Sequence, residues 1–276
     1  MQDLALVLGP AAADALSRTA DTVLPSELAR DFLLVYARLG TATMLLPGLG
    51  ELWVPARVRL ILGLALSFVV LPALLDHLPP LPGSAAEAAA QIGLEVLIGG
   101  FLGFCIRATT ASMAVAGSLV ASQSGLANAL TPGIVSPDAT TTLASFLGLA
   151  AIAFLVNTGL DHMILHGVVE SYAVLPPPGR IPTLPPVDQL VQTVMRIVAD
   201  GFALGLWVSF PFLVAMLLLN LGLGLANRFM PSLQVYFLAT PVAILLVLGL
   251  LAWAAPAMLQ ALGAALETTL TRLGGG

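Results

Sequence analysis

Long apolar runs separated by short polar breaks dominate the chain, and a spanning helix needs roughly 20 mostly apolar residues. The first such run, 31–47, is short and carries Arg38 near its centre. A polar break with Glu51, Pro55, Arg57 and Arg59 leads to a uniformly apolar second run, 60–75, which stops at Asp76 and His77. The Pro-rich stretch 79–84 predicts a loop. The third run, from 85 to about 121, is too long for one perpendicular span and predicts a long helix whose far end packs in protein. A fourth run covers 143–158, continuing helically over 159–174 after a break. Six prolines in 175–186 mark a surface linker. Residues 187–200 are amphipathic. The fifth and sixth runs, 201–226 and 235–262, flank a Met230-Pro231-Ser232 break and predict a helical hairpin.

Residues 125–142 fit none of these patterns. Gly125, Asn128, Pro132, Gly133, Pro137 and Asp138 alternate with Leu126, Leu130 and Ile134. That mixture cannot be a regular helix and is too apolar for an ordinary aqueous loop. Non-helical backbone at membrane depth survives only inside protein or along a water-filled cavity, so this loop is a candidate gate.

Composition sets the class. Of 276 residues, 58% are hydrophobic and 9% charged, against about 25% charged in soluble domains. Lipid or partner protein must cover the excess apolar surface. The expected fold is an all-α integral membrane protein of long helices and hairpins. Residues 1–27 lack the basic stretch of a signal peptide and read as a loosely ordered leader. A core of 28–186, a hairpin of 187–262 and a tail of 263–276 follow. Every basic residue is Arg and the net charge is −5, which excludes a basic nucleic-acid surface. Arg57 and Arg59 favour a cytoplasmic first connection.

Candidate chemistry is sparse. Cys105 stands alone in an apolar run and reads as a buried hydrophobe. His162, His166 and Glu170 share a helical face, but a zincin helix needs Glu directly after the first His, where Met163 stands. They read as polar residues at a membrane–water boundary, with no metal and no cofactor expected. Arg38 is either structurally paired or faces a cavity. Glu95 and Arg107, twelve positions apart, are about 18 Å apart on a helix and cannot pair. Gly99 with Gly103, and Gly201 with Gly205, allow close helix approach. No nucleophile–base set is visible, so no enzyme is expected.

The stretch Asn220-Leu-Gly-Leu-Gly-Leu-Ala-Asn227-Arg228-Phe-Met-Pro231-Ser-Leu-Gln234, followed by an apolar helix with Pro241, resembles the hairpin turn of the FliR family. That family belongs to flagellar type III export gates and has virulence-secretion counterparts. Arg38, Pro47, Pro55, Arg57 and Arg59 fall where the family expects them. Gly117, Gln123, Gly125, Leu126, Pro137 and Asp138 resemble its central loop. The resemblance covers about residues 30–262.

It implies a non-catalytic subunit that joins FliP-like and FliQ-like relatives, and a FlhB-like gate subunit, in the bacterial inner membrane at the flagellar basal body. The assembly passes unfolded export substrates. Its N-terminal part would be FliP-like and its last hairpin FliQ-like. The central loop, here 125–138, would plug the closed pore. The aromatic residues of the family's plugs are replaced here by Asn128, Leu130 and Ile134. A secondary transporter for a small solute is the alternative reading, built on broken helices with buried Arg38 and Glu95.

Overall fold

The computed structural model describes residues 25–51, 53–75, 78–79, 84–124, 142–177, 187–229 and 235–274. Residues 1–24 of the leader expected over 1–27, the loop 125–138, and Pro231 and Gln234 of the hairpin turn lie outside the described residues. The described residues form eight helices: α1 (Pro25–Leu45), α2 (Ala56–Leu74), α3 (Ala85–Thr110), α4 (Ser112–Ser124), α5 (Thr142–Thr158), α6 (Leu160–Val174), α7 (Val187–Phe229) and α8 (Val235–Leu273). The protein is an all-helical membrane protein. Among the described residues, four stretches are long and apolar enough to cross a membrane, five if the bent α5–α6 pair counts as one span.

The sequence pattern predicts six apolar runs, and the differences from it have physical causes. Most of the run 31–47 lies in α1, which is long enough to span but is not apolar enough to count among the candidate membrane spans. Arg38, Asp31 and Arg30 dilute it. Residues 187–200 and 201–226, expected as separate pieces, form one 43-residue helix with Pro211 inside. At the chain's end, the expected tail of 263–276 is helix through Leu273. Ala264, Ala265, Leu266 and Leu270 keep the helical pattern going, and Leu262 and Leu266 are fully buried.

The helices pack as two compact units. In the first, Met1–Phe104 with His166–Leu184, α1 packs on α2 and on the first part of α3. The α1–α2 crossing is close, because a Cβ on Gly63 would lie 3.3 Å from the Gly40 Cα. Leu34, Val35, Leu39, Ala42, Ile98 and Leu102 fill the core between the helices.

In the second unit, Cys105–Leu165 with Pro185–Gly276, α4 is central and touches α5, α7 and α8. Small residues make this possible: a Cβ on Gly117 would meet the Ala144 Cα at 2.6 Å, and one on Gly205 the Ser112 carbonyl oxygen at 2.9 Å. A Thr109–Thr269 hydrogen bond of 3.0 Å ties the end of α3 to α8. Arg272 and Asp200 pair at 2.5 Å between α8 and α7. That pair is exposed, so it contributes little.

Between α5 and α6 the chain turns by 79°. Gly159 makes the turn with φ +73°, a left-handed conformation that costs an L-residue about 1–2 kcal/mol. A Cβ there would meet nothing within 4 Å, so the cost is backbone strain alone. Gly159→Ala is therefore expected to lower stability by about 1–2 kcal/mol and Gly159→Asn by less, read as thermal midpoints of the purified protein. An unchanged midpoint for Gly159→Ala would mean that the turn can relax.

Candidate functional site

The first unit buries an ion pair. Arg38 on α1 and Glu95 on α3 are both fully inaccessible to solvent. Arg38 donates from Nε to Glu95 Oε2 at 2.5 Å and from Nη2 to Oε1 at 3.1 Å, the two-pronged geometry that a planar guanidinium allows and an ammonium does not. Its Nη2 also donates to the Leu175 carbonyl at 2.9 Å, and Nη1 donates to Ser171 Oγ at 3.2 Å. Ser171 in turn donates to the Val168 carbonyl at 2.6 Å. The Tyr172 ring covers the guanidinium carbon at 3.9 Å from the ring centre, close enough for cation–π attraction. One charge thus joins α1, α3 and α6.

Local sequence explains the geometry. Gly99 and Gly103 face α1, where a Cβ on Gly99 would collide with the Arg38 carbonyl and one on Gly103 would come within 2.8 Å of Leu45 Cβ. The two glycines let α3 lie close against α1. Glu95, one turn before Gly99, is thereby brought within reach of Arg38.

The sequence singles out Arg38 and weighs Glu95 only against Arg107, a pairing that helix spacing rules out, so it misses the Arg38–Glu95 pair. A usable signal was present: two opposite charges, each buried in an apolar helix, are far less costly together than apart. Ser171 and Tyr172 gave no such signal. Among the other candidates, Pro47 sits in the turn after α1 and Pro55 caps α2, while Asn220, Asn227 and Arg228 are exposed on α7. His162 lies beside Asp161 at 3.1 Å, and His166 beside Glu170 at 3.2 Å. Among the described residues no three His, Cys, Asp or Glu side chains could jointly hold a metal ion.

The arrangement positions helices: Ser171 donates to the Val168 carbonyl and accepts from Arg38, and Glu95 is engaged by Arg38. A charged knot inside an apolar protein is architecture for a scaffold. The pattern described as "Bacterial export proteins, family 1" matches residues 29–269. The chain belongs to that family.

Family members similar to this chain carry two kinds of name. A flagellar biosynthetic protein FliR of Caulobacter vibrioides is 32% identical over 219 residues, covering 79% of this chain and 86% of that protein. The FliR of Escherichia coli K12 is 28% identical over 221 residues, covering 80% of each. The Yop proteins translocation protein T of Yersinia pestis is 29% identical over 180 residues, covering 64% of this chain and 67% of that one. A bacterial export protein of family 1 is thus a component of a flagellar or type III secretion apparatus, and its membrane-length helices fit that role.

Proposed function

We propose that this chain is the FliR-type subunit of a type III export gate in the bacterial inner membrane, at the flagellar basal body. It assembles there with FliP-like and FliQ-like subunits and contacts a FlhB-like one. The complex is the channel through which unfolded flagellar proteins leave the cytoplasm. Residues 28–186 form the FliP-like part and 187–262 the FliQ-like hairpin.

The observation that carries this reading is the outward chemistry of helices too long for a bilayer. With 43 and 39 residues, α7 and α8 run to about 65 and 58 Å at 1.5 Å per residue, against a hydrocarbon core of about 30 Å. Even so, Val191, Met195, Trp207, Leu217 and Phe229, spread along nearly all of α7, and Leu245 and Trp253 on α8, are exposed on the single chain. Lipid alone covers only part of such a length, and sibling subunits cover the rest. The transporter alternative needs free charge near the midplane, whereas Arg38 and Glu95 neutralise each other.

The loop 125–138 is the proposed plug: Gly125, Leu126, Asn128, Leu130, Pro132, Gly133, Ile134, Pro137 and Asp138. A pore wide enough for an extended chain leaks ions unless sealed. An apolar segment bearing Gly and Pro can fill a narrow lumen and still give way. Deleting 125–138 is expected to leave the complex assembled but raise the ion conductance of membranes containing it. An assembled deletion complex with wild-type conductance would contradict the sealing role.

A further inference from the structure

Four buried side-chain polar atoms of the first unit have no hydrogen-bond partner among the described residues: Arg30 Nη1, Arg59 Nε, the Tyr172 hydroxyl and the Gln91 amide oxygen, Oε1. Tyr172 is 2% exposed and Gln91 4%. Both sit beside the charge cluster. Gln91 precedes Glu95 by four positions, so the two project from one face of α3 a single turn apart. The Tyr172 ring rests on the guanidinium that holds Glu95. Glu95 itself has acceptor capacity left, because Arg38 places one bond on each oxygen and an ionised carboxylate offers about four acceptor sites.

A dry interior is hard to reconcile with this set. Each buried polar atom without a hydrogen bond costs about 1–3 kcal/mol, and the ion pair adds its own desolvation cost. Water enters a protein interior where the site is polar and two to four groups can bind it. An apolar cavity would stay empty, but the first unit buries a phenol hydroxyl and an amide oxygen without partners beside a buried carboxylate.

We propose that ordered water occupies the α1–α3–α6 interior, bound by the Tyr172 hydroxyl and Gln91 Oε1 and completing the hydrogen bonds of Glu95. The site rests on the packing of the first unit and is independent of the export role.

The sign of two substitutions separates a wet site from a dry one. In a dry site the Tyr172 hydroxyl is a pure liability, and Tyr172→Phe leaves the thermal midpoint unchanged or raises it. In a wet site the same change strips an anchor from bound water and lowers the midpoint by about 2–4 °C. Gln91→Leu, which keeps the volume and removes the acceptor, follows the same sign. Both are measured on the full chain purified in its membrane complex.

A cryo-electron microscopy map of the wild-type complex that resolves ordered water is the second readout, and it decides the matter if either variant fails to fold. Density about 2.7–3.2 Å from Tyr172 Oη and from Gln91 Oε1 is expected. A raised or unchanged midpoint for Tyr172→Phe, or a protein atom filling those positions in the map, would overturn the proposal.

Discussion

Arg38→Ala is expected to empty the membrane of folded chain. The substitution leaves Glu95 fully buried with no countercharge, and breaking one side of a buried pair costs about 3–5 kcal/mol. It also strips the Leu175 carbonyl and Ser171 of a donor and removes the cation from the Tyr172 face. Glu95→Ala should be nearly as severe, because it strands the guanidinium. The double replacement Arg38→Met with Glu95→Leu removes both charges and keeps most of the volume, and it should recover much of the loss. Steady-state level in membranes and the thermal midpoint in detergent give the ranking. If Arg38→Ala accumulated like wild type, the pair would contribute nothing to the fold. If the double variant were as poor as the singles, its role would exceed charge compensation.

Gly99→Leu should be the second most damaging change, by a different mechanism. Its side chain would start inside the Arg38 backbone, whose carbonyl carbon lies 2.9 Å from a Cβ built at Gly99. Backbone cannot step aside as a flexible side chain can. α1 and α3 must separate, at a cost of about 1–3 kcal/mol for the overpacking alone. Separation also lengthens the Arg38–Glu95 bonds, so part of the pair's stabilisation is lost as well. Even Gly99→Ala should be clearly destabilising.

Gly93 is the internal control. It lies on α3 six residues earlier, is exposed, and a Cβ there would meet nothing within 4 Å. Gly93→Ala should be neutral or stabilising by about 0.5–1 kcal/mol through helix propensity. Thermal midpoints of the two alanine variants test the contrast directly. Equal midpoints would refute the close α1–α3 approach.

The same residues show how far the sequence could be read. Apolar runs are long and their breaks carry Pro, Gly or charge, so helix existence was legible from α1 through α8. Helix length was not. The polar residues Asp188, Gln189, Gln192, Thr193, Arg196 and Asp200 suggested a separate piece, but none of them breaks a helix. With no Gly or Pro before Gly201, the helix simply continues into the apolar run. Arg38 was conspicuous because charge is rare in this chain, whereas its contacts were hidden. Glu95 lies 57 positions away and Ser171 lies 133 away, and no local spacing encodes pairings of that range. Gly99 and Gly103 announced a close approach without naming α1 as the neighbour. The family, by contrast, was written in one contiguous stretch, Asn220 to Gln234, and in the order of the arginines and prolines before α2.

The most direct test of the account is to tag this chain in its own bacterium, extract it gently from the membrane and count what comes with it by native mass spectrometry. One copy of the chain bound to several copies of other apolar export subunits is expected, because α7 exposes apolar side chains over more length than a bilayer can cover. A chain that emerged alone, carrying lipid and no protein, would contradict it.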